Sequence, residues 1–308
     1  MRIFLNGIGA FGVDTLQKLQ AQGDEIVAVA APPQSLSGRA DRLWAYAADA
    51  GIPVFETKRL AEPEVEAALR QTAPELGVMA FVEDLIKAST LGLPAHGTIQ
   101  YHPSLLPKHR GRSAINWSII QGESKTGISI FWPDEGLDTG PVLLQREVEI
   151  GPDDTTGSLY YDKLYPLGLE ALADAVDLVR QGRAPKTPQD ESQATYERPC
   201  DDKAAQIDWA RPLTDVYNLV RGCDPSPGAW SPWRETKVRM LGATPLPDQT
   251  GSPGVVQGID DEGVIIGALN GALRIKTLRV DTDPTKSTQD VIADNSIVVG
   301  SEFEAKGS

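Results

Sequence analysis

The sequence predicts an α/β fold: a Rossmann-like, mainly parallel sheet, followed by a smaller β-barrel domain. Three observations carry this. Up to Gly182, short apolar runs alternate with stretches of helical period, and glycines mark the junctions. Strands separated by helices join through right-handed crossovers, which lay neighbouring strands parallel. Beyond residue 205 the pattern changes to short alternating segments separated by glycine turns, which suits a small barrel. Residues 185–205, rich in proline, charge and polar side chains, read as the linker between a domain at 1–184 and a domain at 206–308.

Residues 2–7 (RIFLNG) and 24–31 (DEIVAVAA) read as strands around a helix. Val13, Leu16 and Leu19 share one face of that helix, and Gly23 ends it. Gly7, Gly9 and Gly12 form G-x-G-x-x-G at the first strand-to-helix turn. A dinucleotide site also needs an acidic residue about twenty positions on, at the end of the second strand. The chain has Ala30-Ala31-Pro32-Pro33 there, so the glycines read as a tight turn and a close helix contact, and NAD is not expected. A helix over 43–50 stopped by Gly51, a short strand at IPVFE, a helix over 64–71 and a fully apolar strand over 76–81 follow. A short strand over 98–101 then carries His102 off its C-terminal end. The next loop is stiffened by Pro103 and Pro107 and released at Gly111.

Residues 113–120 form a helix ending near Gly122, in which Asn116 and Trp117 pack and cap. Residues 127–131 are another apolar strand, and VLLQREVEI alternates as a half-buried one. A long amphipathic helix starts near Asp154 or Thr155 and stops at Gly182, with a break or kink at Pro166. In the last section a helix over 213–221 precedes strands at 237–246, 254–260, 263–269 and 272–280.

With 308 residues, 41% of them hydrophobic and 23% charged, the chain is an ordinary globular protein of two domains. It has no run of eighteen apolar residues to span a membrane. The glycine-broken start MRIFLNGIGAFG does not read as a signal peptide, so a cytoplasmic location is expected. Cys200 and Cys223 show neither metal spacing nor a disulfide framework. His96, His102 and His109 lack the i, i+4 helical spacing of a zinc site, so no metal is expected. A formal net charge of −14 with scattered basic residues disfavours nucleic acid, which demands clustered Lys and Arg. Oligomeric state stays open, a homodimer included.

Two stretches carry chemistry: GTIQYHPSLLPKHRGRSAINW (97–117) and FWPDEGLDTG (131–140). A histidine just past one strand end and a carboxylate, Asp138, in a glycine-bounded loop past another suit general acid–base work. The alternative is a histidine that ends a strand and an aspartate that makes an Asx turn.

H-x-S-L-L-P followed by Arg-Gly, with G-L-D-T-G downstream, resembles the folate-dependent formyltransferase superfamily. That group includes methionyl-tRNA formyltransferase, sugar N-formyltransferases and the N-terminal hydrolase domain of 10-formyltetrahydrofolate dehydrogenase. The similarity is greatest to that last domain, through YHPSLLPKHRG, SAINW, SIFWPDEGLDTG and LLQ. ATYER, IDW and PGAW extend it over most of the chain.

The resemblance implies a formyltransferase fold with an OB-like C-terminal domain, and 10-formyltetrahydrofolate as co-substrate. It implies His102 and Asp138 as the catalytic pair. Phe81, Val82, Glu83 and Leu85, in a loop whose backbone groups hold the pterin ring in the family, would bind the folate together with Asp134, Gly136, Leu137 and Asp138. Ser104, Leu105 and Pro107 would shape the substrate loop. The transferases carry Asn two residues before the histidine as oxyanion donor; this chain has Gln100, which shares a strand face with His102. Gln keeps the carboxamide on a stem one methylene longer. The implied activity is formyl transfer to a small, amine-type acceptor, with hydrolysis to formate as the alternative. Transfer to tRNA and an inactive folate-binding protein rank lower.

Overall fold

The computed structural model describes residues 1–35, 38–82 and 84–304. The chain divides into two compact units. The first comprises Met1–Gly111, Gly127–Val148 and Asp162–Tyr196, and the second Arg112–Thr126, Glu149–Tyr161 and Glu197–Ser308. The stretch read as a linker is thus shared between them, 185–196 with the first and 197–205 with the second.

The first unit is built on β1 (Arg2–Gly7), β2 (Glu25–Ala31), β3 (Val54–Glu56), β4 (Leu76–Ala80), β5 (Thr98–His102), β6 (Lys125–Phe131) and β7 (Val142–Glu149). The helices in chain order are α1 (Gly9–Ala21), α2 (Arg42–Asp49), α3 (Pro63–Gln71), α4 (Ala88–Leu91) and α5 (Ala114–Ile120). They continue with α6 (Thr156–Ser158), α7 (Tyr165–Arg180), α8 (Asp202–Ala205), α9 (Leu213–Gly222) and α10 (Thr288–Asp294). The sheet order is β3-β2-β1-β4-β5-β6-β7. β1, β2 and β4 are buried almost end to end, as strands covered on both faces must be. Edge strand β7 alternates half-buried and exposed residues over most of its length.

β1 to β5 are parallel, but β6 runs antiparallel to β5, pairing Gln100 with Phe131 and His102 with Ser129. The sheet is therefore mixed. A buried strand presents the same apolar run in either direction, so direction cannot be read from it. The consequence matters for the site. β6 ends level with Gln100, and the loop after it must double back to bring Asp138 towards His102.

The glycine turn serves packing. A Cβ on Gly7 would sit 2.7 Å from the Ala80 carbonyl oxygen, and one on Gly12 would sit 2.7 Å from Leu43 Cδ2. The turn also has its own carboxylate. Asp41 caps α2 through Leu43 N (2.8 Å) and accepts from Gly9 N (2.9 Å). The break expected at Pro166 is present, as a change of helix type just before the proline. A capping box at Thr155 and Ser158 starts α6, Leu159–Leu164 widen into a π turn, and the proline opens α7, where its missing N–H costs nothing.

The second unit holds an antiparallel sheet, β10-β11-β12-β9-β8. Its strands are β8 (Ala229–Trp233), β9 (Thr236–Leu246), β10 (Val256–Asp260), β11 (Gly263–Ala268) and β12 (Gly271–Val280). β8 and α10 escape the sequence reading. Pro232 inside β8 demotes that run, and it sits on the edge strand where proline is tolerated. α10 begins with a Ser287–Asp290 capping box, a signal available in the sequence. α5 packs here: Asn116 Nδ2 donates to Gly222 O (2.8 Å), and Trp117 Nε1 to Arg198 O (2.6 Å). The buried thiols of Cys200 and Cys223 lie 3.7 Å apart.

Tyr217 gives this unit a pH dependence. Burial, reinforced by the Asp153 carboxylate that accepts its O–H at 2.9 Å, pushes its phenol up to about 12. A folded-state value above the unfolded one, about 10, means the contribution is complete below pH 10. It is lost as pH rises towards 12. Tyr217→Phe is expected to unfold more readily than the parent at neutral pH, by about 1 kcal/mol. The difference should narrow through that alkaline window in denaturant titrations; a pH-independent difference would contradict this.

Candidate active site

His102 ends β5, next to Tyr101, whose ring points to the opposite face. Tyr101 packs there against Phe11 (4.9 Å between centroids) and Phe81 (6.2 Å), and Phe11 against Tyr165 (5.1 Å). Such pairs contribute about 0.5–1.5 kcal/mol each beyond area burial, so the strand under the histidine is firmly seated.

His102 itself is buried. Its Nε2 lies 2.8 Å from the His109 carbonyl oxygen. A carbonyl only accepts, so Nε2 carries a proton and Nδ1 is the nitrogen left for chemistry. Nδ1 faces Asp138 Oδ2 at 3.7 Å, with both side chains over nine-tenths buried. That separation gives an electrostatic partner and not a hydrogen bond. The imidazole is thus oriented by a backbone carbonyl. Asp138 is oriented in turn by Gly111 N–H, which donates to Oδ2 at 2.7 Å.

Backbone strain gathers here. Phe81 (φ +64°), His109 (+54°) and Asp138 (+56°) all adopt left-handed conformations. Such residues persist only where surroundings over-determine them, and they concentrate at functional sites. At Phe81 the ring packing supplies the constraint; at His109 the conformation accompanies the carbonyl turned towards His102.

Gln100 is half-buried on the His102 face of β5, between Met79 and Phe131. Phe81 and Val82 follow β4 and are half-buried, whereas Leu85 is 81% exposed. Glu83 lies outside the described residues. In the other loop Leu137 is 46% exposed, and Asp134 shapes the turn, accepting from Gly136 N (3.0 Å) and Thr139 Oγ1 (2.6 Å). Leu85 and Leu137 are thus large apolar side chains left uncovered on the loops after β4 and β6.

Ser104, Leu105 and Pro107 build the intervening loop. Ser104 Oγ donates to Lys108 O (2.6 Å), and Ser104 O accepts from the buried Ser129 Oγ (2.6 Å). That hydroxyl also accepts from Leu106 N (3.0 Å) and Gln145 Nε2 (2.8 Å). Leu105 fills the space over Gly127, where a Cβ would come within 2.6 Å of its Cδ2.

Gly140 is as tightly constrained: a Cβ there would stand 1.8 Å from the Trp132 carbonyl oxygen. Gly140→Ala is expected to cost about 1–3 kcal/mol in stability and to displace the Asp138 loop. Thermal unfolding checks this, and an unchanged midpoint would contradict it.

Four contributors have no role in the sequence reading, although all but Gln189 stand in quoted motifs: the His109 carbonyl, Arg110, Gln189 and Thr195. A backbone carbonyl leaves no mark in a sequence, and Gln189 and Thr195 stand in a stretch whose composition reads as linker. Among the described residues no cluster of His, Cys, Asp or Glu could hold a metal ion. No described helix is long and apolar enough to cross a membrane.

Comparison with known proteins agrees with this architecture. The Formyl transferase family model matches residues 2–176, and its C-terminal domain model residues 200–295. Human cytosolic 10-formyltetrahydrofolate dehydrogenase is 42% identical over 249 residues, covering 79% of this chain and 28% of the dehydrogenase. This chain therefore spans little more than a quarter of that relative. A methionyl-tRNA formyltransferase from Ruminiclostridium cellulolyticum is 35% identical, covering 98% of this chain and 99% of the relative. Among solved structures, HypX from Aquifex aeolicus in complex with tetrahydrofolic acid superposes with a TM-score of 0.73. It shares 21% identity, over 99% of this chain and 51% of HypX. An N-formyltransferase from Helicobacter canadensis gives 0.69 at 17% identity, over 90% and 99% of the two chains. The chain belongs to the formyl transferase family.

Proposed function

We propose that the protein uses 10-formyltetrahydrofolate and moves its formyl group to a small amine acceptor. The observation that carries this is the buried His102–Asp138 pair, 3.7 Å apart, between loops that expose Leu85 and Leu137. Nδ1 of His102 takes the proton of the attacking amine as its nitrogen bonds to the formyl carbon. Asp138 stabilises the imidazolium so formed, and the proton is returned as the tetrahydrofolate nitrogen leaves. The Gln100 carboxamide donates to the oxygen that gains charge in the tetrahedral intermediate. Phe81 and Val82, through their backbone groups, and Leu85 form one wall of the folate site, and Asp134, Gly136 and Leu137 the other. Ser104, Leu105 and Pro107 hold the loop that carries the His109 carbonyl. No metal takes part in this scheme.

Hydrolysis to formate is the second reading, favoured by the 42% identity to a 10-formyltetrahydrofolate dehydrogenase. A tRNA acceptor is disfavoured by the net charge of −14. Residues 206–308 are taken as an OB-like domain that packs or dimerises, and residues 1–184 as the catalytic domain.

Release of tetrahydrofolate, followed by absorbance with and without a pool of small amines, tests the reading. Slow release alone and rapid release with amines is the expected result. Rapid acceptor-free release with stoichiometric formate would make the protein a hydrolase, and no release under either condition would refute both readings. In the same assay Gln100→Ala is expected to lose about 10²–10³ in kcat with KM little changed. Parental kcat in that variant would remove the carboxamide from the oxyanion role.

A further inference from the structure

Residues 187–196 run across both loops that carry the catalytic pair. Thr187 exchanges backbone hydrogen bonds with Val142 (2.8 and 2.9 Å). Thr195 accepts from His109 N through its hydroxyl (2.8 Å) and from Arg110 N through its carbonyl (3.0 Å), and its own N–H donates to Pro107 O (3.2 Å). Between these anchors stands Gln189. Its Nε2 donates to the carbonyls of Asp138 (2.8 Å) and Gly140 (2.7 Å), and its Oε1 accepts from Arg110 Nε (3.1 Å) and Nη2 (2.7 Å).

All the hydrogen-bonding capacity of that carboxamide is therefore spent on the two loops. On one side it fixes the strained peptide of Asp138, whose φ of +56° turns the carbonyl out of its ordinary direction. On the other it holds Arg110, which is wholly buried and lies between His109, the orienter of His102, and Gly111, the orienter of Asp138. Arg110 is itself clamped by Glu191 at 2.6 and 2.9 Å and by the Tyr196 hydroxyl at 2.6 Å. The hydrogen bond from Arg110 holds the Glu191 carboxyl below the usual range, so the clamp stays ionised at neutral pH.

We propose that Gln189 is a positioning residue: bridged by Arg110, it sets the separation of His102 and Asp138 from a segment that touches neither imidazole nor carboxylate. This rests on the catalytic reading above for its kinetic consequence, though not for its structural one. Displacing a catalytic group by about 1 Å can cost a factor of about 10² in rate.

The test compares the full-length parent with Gln189→Leu, similar in size and unable to donate or accept, and with Glu191→Ala at an exposed carboxylate. Two readouts are taken: kcat against KM for 10-formyltetrahydrofolate, and the imidazole 15N resonances of the three histidines. Gln189→Leu is expected to lower kcat about 10²-fold with KM within about threefold, and to move the His102 resonances while leaving those of His96 in place. Glu191→Ala should act in the same direction, by at least about threefold. Parental kcat and unmoved His102 resonances in folded Gln189→Leu would overturn the proposal. Should that variant not fold, the same null result in Glu191→Ala overturns it. The resonances need no turnover, so a parent enzyme that proves inactive with every acceptor defeats the catalytic reading and leaves the positioning test standing.

Discussion

Replacing His102 with alanine is expected to all but abolish turnover, by about 10³–10⁴-fold, the upper part of the general acid–base range, while folate binding survives. The size follows from the role: Nδ1 is the base, and general acid–base catalysis contributes about 10²–10⁴. Binding survives because the exposed apolar walls come from other loops, at Leu85 and Leu137. The strand beneath stays seated too, since the aromatic packing of Tyr101 lies on its opposite face. Isothermal titration with a non-transferable folate analogue beside a rate measurement separates the two. Equal turnover in the variant would end the mechanism; loss of binding together with turnover would mean that the ring holds the ligand instead.

Asp138→Asn is expected to have the next largest effect, a fall of about 10²–10⁴ in kcat. Asn can still accept from Gly111 N–H, the bond that now holds Oδ2 at 2.7 Å, so the loop should keep its course. The negative charge that meets the imidazolium at 3.7 Å is what disappears. Asn also tolerates the left-handed backbone that Asp138 adopts, which makes this variant a cleaner probe than alanine. A folded Asn variant with a rate within a few-fold of the parent would show that the charge is dispensable.

Much of the fold could be read from the chain, and the reasons are local. Buried strands such as β1 and β2 are largely apolar runs closed by Gly7 and Pro32, and helix stops at Gly23, Gly51 and Gly182 need a left-handed residue. Signals that depend on partners were silent. The direction of β6 is set by what it pairs with. The second helical turn around Pro166 depends on a π turn that no propensity encodes.

The site divides in the same way. His102, Asp138 and Gln100 are singled out by the motifs that resemble the formyltransferases, and period-two placement adds that Gln100 and His102 share one face of β5. The groups that orient them are backbone atoms, the His109 carbonyl and Gly111 N–H, whose identity a sequence does not record. Positive φ at Phe81, His109 and Asp138 was equally hidden, since none is glycine. Gln189 was obscured for another reason: proline and polar residues without period mark a linker equally well when the segment is strapped down by long-range hydrogen bonds.

The most direct test of the central claim follows a 13C label placed in the formyl group of 10-formyltetrahydrofolate. With purified protein and a pool of small amines, the label is predicted to leave the folate and reappear as an amine formamide. It should stay on the folate when His102→Ala replaces the parent. A label that remains on the folate with the parent protein and every acceptor, water included, would contradict the account at its root.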